Sequence, residues 1–196
     1  NRAASLLANF KQVAVDQTSA QRRHFDLRKT VDEVVATLMP GLRKRKLVLT
    51  VDIPEGLELD SFPGPLEQVI ANIVTNATVH AFGPDEAGEL TIEAGLAGGA
   101  EIELRIRDNG HGIPPEIQGR VFDPFFTTRM GQGGSGLGLY IVYNIVTSLL
   151  GGSIEVRSTP GGTCFTMRFP ACAPDAPEGL ASVLGVTQTL PLPGRA

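Results

Sequence analysis

Between Gly131 and Gly138 the chain reads Gly-Gln-Gly-Gly-Ser-Gly-Leu-Gly, then runs without a charge into Leu-Tyr-Ile-Val-Tyr. Few local sequences restrict a fold so tightly. Glycine loses more backbone entropy on folding than any other residue, so a cluster of it marks an unusual turn or a close approach to a ligand. The apolar residues after it make the cluster the entrance to a helix from Leu137 to Leu150, closed by Gly151–Gly152. Backbone N–H groups bared at a helix start form a ready anion site. Two familiar phosphate loops are excluded. No Gly-Lys-Ser/Thr comes next, as a P-loop requires, and a loop precedes where the dinucleotide fingerprint needs a strand.

The remaining chain supplies elements to pack around this entrance. Leu6, Phe10 and Val13 share one face, so residues 1–17 read as the end of a helix, and polar residues from Thr18 to Arg23 break it. A second helix fits Leu27 to Leu42 on Val31, Val34, Val35 and Leu38, with its end expected near Pro40–Gly41. Lys46–Ile53 reads as a strand stopped by Pro54, and residues 57–62 as a shorter one. The most regular helix starts at Pro63 and Pro65 and carries Leu66, Val69, Ile70, Ile73, Val74 and Ala77 inward. Strands at 89–97 and 100–108 flank a Gly98–Gly99 turn, and residues 109–136 read as loops. Two last strands, Ser153–Ser158 and Thr163–Phe169, are joined by Thr-Pro-Gly-Gly, and 171–196 reads as a flexible tail. Hairpins rather than strict strand–helix alternation predict an α+β, two-layer sandwich: a mixed, mainly antiparallel sheet covered on one face by helices, preceded by a helical segment.

Bulk properties remove several function classes. Hydrophobic residues at 42% and charged ones at 19% suit a soluble domain with a real core. A net charge of -4 gives no electrostatic footprint for nucleic acid. The run Leu137–Leu150, broken by Asn144 and Ser148, is too short to span a bilayer. Cys164 and Cys172 have neither zinc-ligand spacing nor the numbers for a disulfide scaffold, and read as reduced thiols of a cytoplasmic protein.

Three further segments need explaining beside the glycines. Asn72 and Asn76 project from one side of the third helix, and an amide oxygen is a neutral, hard ligand suited to Mg²⁺. Asp108 ends a strand and is followed by Asn109-Gly110-His111-Gly112-Ile113, where a carboxylate could accept from an exocyclic amine; an ordinary Asp-Asn-Gly turn explains the same residues. Phe122-Asp-Pro-Phe125-Phe-Thr-Thr128-Arg129 either caps a pocket or packs a loop onto the core. Taken singly, each has a bland explanation.

In this order and spacing, the four segments resemble the N, G1, F and G2 boxes of the histidine-kinase branch of the Bergerat-fold ATPases, over roughly residues 25–170. The resemblance implies ATP and Mg²⁺ as cofactors. Asn76 matches the asparagine that holds Mg²⁺, with Asn72 one turn earlier, and Asp108 matches the adenine-binding aspartate. Gly110, Gly112 and Ile113 line up beside that aspartate, and Phe122 and Phe125 with the F box. Gly134, Ser135, Gly136, Leu137 and Gly138 match the phosphate-binding turn, and Thr163 the late threonine whose hydroxyl supports the aspartate through water. Relatives often carry a lysine where this chain has Val79, so His80, Thr128 and Arg129 become the candidates for phosphate. The segment Asp123–Gly136 is expected to be a lid that orders on nucleotide.

Residues 1–24 resemble the end of a dimerisation and phosphoacceptor hairpin with its linker, so the implied partners are a phosphoacceptor histidine on that hairpin and a response-regulator receiver domain. The full-length protein would be a homodimer, with or without a membrane anchor. Hydrolases of the superfamily use a glutamate one turn before the Mg²⁺ asparagine; here Asn72 cannot take a proton, which favours a kinase with Asn72 and Asn76 in its catalytic centre. None of His24, His80 and His111 sits in an acceptor motif, so the chain alone is expected not to phosphorylate itself. The alternatives are a non-catalytic regulatory ATP-binding module and a serine kinase of the anti-sigma type.

Overall fold

The computed structural model describes residues 21–128 and 135–175. The helix expected within 1–17 and the tail beyond residue 175 lie outside the described residues, as do residues 129–134. Among the described residues, seven strands and four helical segments are arranged in the order β1 (Arg23–Asp26), α1 (Leu27–Lys44), β2 (Leu47–Asp52), β3 (Glu58–Ser61), α2 (Pro63–His80), β4 (Gly88–Leu96), β5 (Glu101–Asp108), α3 (Pro115–Gln118), α4 (Gly138–Asn144), β6 (Ser153–Thr159) and β7 (Gly162–Pro170), with a π-helical turn, Ile145–Leu149, continuing α4.

The main sheet has the order β2-β4-β5-β7-β6. Only the β2–β4 pairing is parallel; β4–β5, β5–β7 and β6–β7 are antiparallel. Alternation decides which face is covered. Ile102, Leu104, Ile106 and Asp108 on β5 are buried, as are Thr163, Phe165, Met167 and Phe169 on β7. The opposite face carries Glu103, Arg105 and Arg168, and Glu103 forms ion pairs with both arginines across it. Against the covered face packs α2, whose Leu66, Val69, Ile70, Ile73 and Val74 are all at most 1% exposed. Each such side chain contributes roughly 2 kcal/mol by leaving water. Two layers, helices over sheet, are therefore what the sequence pattern predicts.

Four local expectations are corrected. First, α1 does not stop at Pro40 but runs to Lys44. A proline inside a helix costs about 3 kcal/mol. Here Leu42, 2% exposed, anchors the turn beyond it in the core, and Arg43 and Lys44 face the negative end of the helix dipole. Second, residues 109–136 are not all loop, since α3 forms one turn at Pro115–Gln118. Third, Leu137–Leu150 is not one α-helix: after Asn144 it widens into the π turn, which lets Ile145, Val146, Leu149 and Leu150 all enter the core. Fourth, Arg23 and His24 are not linker. They belong to β1, which pairs with β3, and Asp26 then caps α1 by accepting from the N–H of Lys29 at 2.9 Å.

The chain also stays on the domain past Pro170. The Ala171 N–H donates to the Ala100 carbonyl at 2.7 Å, and the Ala171 carbonyl accepts from the Asp60 N–H at 2.8 Å. Ala173 is 2% exposed and its N–H donates to the Asp60 carbonyl at 2.9 Å. Backbone pairing of this kind leaves no side-chain periodicity to read. The Asp60 side chain takes a bidentate pair from Arg22, with Nε to Oδ1 at 3.1 Å and Nη2 to Oδ2 at 2.9 Å. Arg22 accordingly holds the Asp60 carboxyl below its ordinary pKa. Among the described residues, no helix is long and apolar enough to cross a membrane.

Candidate nucleotide site

The sheet and α2 bring the sequence-predicted residues to one end of the covered face. Asp108 sits at the end of β5 with 5% of its surface exposed. Its Oδ1 accepts from the N–H of Gly110 at 3.0 Å and of Thr163 at 3.2 Å, while Oδ2 accepts from nothing among the described residues. Burial pushes this carboxyl above its ordinary pKa, and the two N–H donors pull it back only in part. A buried carboxylate with one oxygen unclaimed is a strong acceptor for a ligand N–H.

The loop after Asp108 is held by close approach. Gly110 lies against the Ala81 carbonyl so tightly that a Cβ would overlap it, and the next N–H, of His111, donates to that same carbonyl at 3.0 Å. Gly112 lies equally close to the Thr159 carbonyl. The Ile113 N–H donates to Ser158 Oγ at 2.8 Å, and Gln118 Nε2 donates to the Ile113 carbonyl at 2.8 Å. Asn109 exchanges bonds with Glu89, its Oδ1 accepting from the Glu89 N–H at 2.8 Å. Its place in a turn gives no hint of that brace. Ser158 and Gln118 escape sequence reasoning as well, because neither belongs to a motif that spacing picks out.

Thr163 reaches Asp108 directly through its backbone N–H, and its hydroxyl lies 2.9 Å from Ser158 Oγ.

On α2, Asn72, Asn76 and His80 recur every fourth residue and so share a face. Gly138, the first residue of α4, stands beside the pair: a Cβ there would lie 3.8 Å from both Asn72 Oδ1 and Asn76 Nδ2. Neither amide has a hydrogen-bond partner among the described residues. At the helix end, His80 Nδ1 is 3.4 Å from Thr128 Oγ1, which brings two of the phosphate candidates together. Arg129 and Gly134, two more of them, lie outside the described residues.

The F segment divides by residue. Phe122 is half-buried against Tyr143 and Phe165, at ring distances of 5.6 and 6.3 Å. Phe125 is 65% exposed and takes a left-handed φ of 64°. Such a conformation costs a non-glycine residue about 1–2 kcal/mol. It abuts Gly136, itself left-handed at φ 68°, where a Cβ would meet the Phe125 backbone. Ser135 Oγ accepts from the Leu137 N–H at 3.3 Å and closes the turn into α4.

The donor set suits the groups that the resemblance implies. Asp108 offers an acceptor for an exocyclic amine, and Asn72 and Asn76 offer neutral amides. Among the described residues no three His, Cys, Asp or Glu are placed to cage a metal. A Mg²⁺ that takes most of its ligands from phosphate and water fits such a site.

Comparison with known proteins agrees. Residues 63–173 match the family described as histidine kinase-, DNA gyrase B-, and HSP90-like ATPases, and the chain belongs to it. Within that family it is homologous to the ATP-binding domains of sensor histidine kinases. It is 32% identical over 181 residues to the sensor histidine kinase RcsC of Escherichia coli strain K12, covering 88% of this chain and 18% of that protein. The alginate biosynthesis sensor protein KinB of Pseudomonas aeruginosa is 32% identical over 168 residues, covering 84% and 27%. The chain thus spans a minor part of either relative. Among solved structures, the nucleotide-free catalytic domain of the histidine kinase ThkA has a TM-score of 0.69 at 27% identity, covering 78% of this chain and 97% of that domain. ThkA in complex with the response regulator TrrA shares the fold, with a TM-score of 0.66 at 23% identity over 86% of this chain and 49% of that one.

Proposed function

We propose that this domain holds Mg·ATP and donates the γ-phosphoryl group to a histidine on a dimerisation hairpin, from which it passes to an aspartate of a response regulator. The observation that carries the choice of kinase over hydrolase is the pair of amides beside Gly138. Asn72 occupies the place where water activation calls for a carboxylate, and an amide takes no proton. A site without that base holds its nucleotide until an outside nucleophile arrives.

The residues then have distinct tasks. Asp108 accepts from the adenine amine, and its neighbours keep the acceptor fixed. Asn76 presents its amide oxygen to the metal, and Asn72 fills the turn before it without offering a base. His80 and Thr128 stand at the phosphate end with Ser135, Gly136, Leu137 and Gly138, and the family resemblance alone assigns Arg129 and Gly134 to the phosphate as well. Mg²⁺, when bound, neutralises charge on the phosphate oxygens. Little covalent chemistry falls to the protein, because phosphoryl transfer depends on positioning and electrostatics. The imidazole lone pair forms the N–P bond as the bond from γ-phosphorus to the ADP oxygen breaks. ThkA, solved with its response regulator, supports the same downstream partner here. A cytoplasmic location in a homodimeric parent belongs to this proposal.

The test is label transfer from γ-³²P-ATP. The chain alone takes no stable label, since His24, His80 and His111 are not in acceptor motifs; adding a phosphoacceptor hairpin in trans yields acid-labile phosphohistidine on the hairpin. ATP binding with no transfer to any hairpin would favour the regulatory module instead.

A further inference from the structure

The single turn of α3 hangs between two parts of the site. Its last residue, Gln118, is half-buried, and its Nε2 donates to the Ile113 carbonyl at 2.8 Å and to the Ser158 carbonyl at 3.2 Å. Ile113 belongs to the loop after Asp108, and Ser158 to β6. Chemistry fixes which way the amide faces. A backbone carbonyl oxygen only accepts, and Nε2 carries two hydrogens, so one goes to each. A reversed amide would aim Oε1 at two other oxygens.

Beyond Gln118 the chain runs toward the phosphate end in a ladder of turns. The Arg120 N–H donates to the Ile117 carbonyl at 2.9 Å, that of Asp123 to Arg120 at 2.9 Å, and that of Phe126 to Asp123 at 3.2 Å. The Arg120 guanidinium, 4.9 Å over the Phe126 ring, braces the same ladder. Two residues further on, Thr128 meets His80. These bonds are internal to the segment and do not say where it stands on the fold. Val121, 7% exposed, and Phe122 hold it to the core, but apolar packing has no direction. Direction comes from the two carbonyls that Gln118 grips.

We infer that Gln118 is a positioning residue that couples the two ends of the nucleotide site: it fixes the foot of the F segment on the loop beside Asp108, and so sets where Thr128 and His80 stand relative to the base. The inference rests on the ATP reading of this site. A ligand that spans both ends gains from that fixed relation, whereas one that fills only the base end does not. Without Gln118 the base end keeps its own brace, because the Ile113 N–H still donates to Ser158 Oγ at 2.8 Å.

The experiment uses the whole chain, titrated with Mg·ATP and with adenosine, and reads amide exchange without nucleotide. Gln118→Glu keeps the shape of the side chain but sets an acceptor against two carbonyls. It is expected to weaken ATP about tenfold, leave adenosine within about twofold, and speed exchange at the N–H groups of Arg120 and Asp123. Gln118→Arg, which keeps two donors, restores ATP affinity and slow exchange. Equal weakening of ATP and adenosine, as a general loss of structure would give, would overturn the inference, and so would a Gln118→Arg chain no better than Gln118→Glu. Where Gln118→Glu does not fold, Gln118→Met, which removes the donors without adding a charge, carries the same comparison. A wild-type chain that binds no ATP would defeat the ATP reading itself. A wild type that binds ATP no better than Gln118→Glu would defeat this inference alone.

Discussion

Around Asp108 the polar groups bond to one another: Gly110 and Thr163 to the carboxylate, Ser158 to Ile113 and Thr163, Ala81 to His111. The amides of Asn72 and Asn76 make no such bonds among the described residues, and further along the same helix face His80 Nδ1 lies 3.4 Å from Thr128 Oγ1. One end of the site is finished before any ligand arrives; the other is assembled around it. The difference has a chemical origin. A base is recognised by fixed donor and acceptor directions, which reward preorganisation. A triphosphate with its metal changes charge and geometry during transfer, and loosely committed amides can adjust to it.

The largest test of this contrast is Asp108→Asn. Turning the acceptor into a donor at the finished end is expected to weaken ATP by about a hundredfold, the cost of a buried hydrogen bond replaced by a mismatch. The melting temperature without nucleotide should hold or rise. A variant that binds ATP normally would remove Asp108 from the site.

The same residue gives a pH prediction. Burial raises its folded pKa above the unfolded value, so its contribution to nucleotide-free stability is complete below the unfolded pKa and lost as pH rises through the folded one. ATP affinity runs the other way, falling as acid protonates the acceptor. Asp108→Asn should flatten both trends; thermal melts and titrations across the acid range would show whether it does.

At the unfinished end, Asn76→Ala is expected to weaken ATP about tenfold in Mg²⁺ and hardly at all in EDTA, as loss of a metal ligand would. Equal losses in both buffers would mean that Asn76 supports the fold rather than the metal. Gly136→Ala also weakens ATP binding, because it forces a side chain into a left-handed turn at about 1 kcal/mol and presses the Cβ into the Phe125 backbone, which must shift. Its expected signature is a few-fold loss of ATP affinity with little change in melting temperature. Last, His80→Gln should alter affinity by no more than about threefold, since an exposed polar contact contributes little.

Sequence carried much of this because the informative residues are the ones with no cheap substitute. Asp108, Asn76 and Gly136 are legible from type and order alone: a carboxylate at a strand end, an amide on a helix, a glycine where φ is positive. The strands and α2 are legible from periodicity, because one buried face repeats every second or roughly every fourth residue. The parts that escape are held by backbone or by a single ordinary hydroxyl. Nothing in the composition of Arg23–Asp26 or of residues 171–173 announces strand pairing. Ser158 looks like any strand serine until its register against Thr163 is known. Pro40 misleads for the opposite reason: a strong local signal is overruled by the burial of Leu42 two residues later.

The docking of Arg22 and Ala173 on either side of Asp60 carries an architectural consequence. The domain is entered and left through one doorway. Arg22 and Ala173 lie side by side there, so the described unit has its two ends together, as in a cassette that can be spliced into a longer chain with little disturbance to its neighbours.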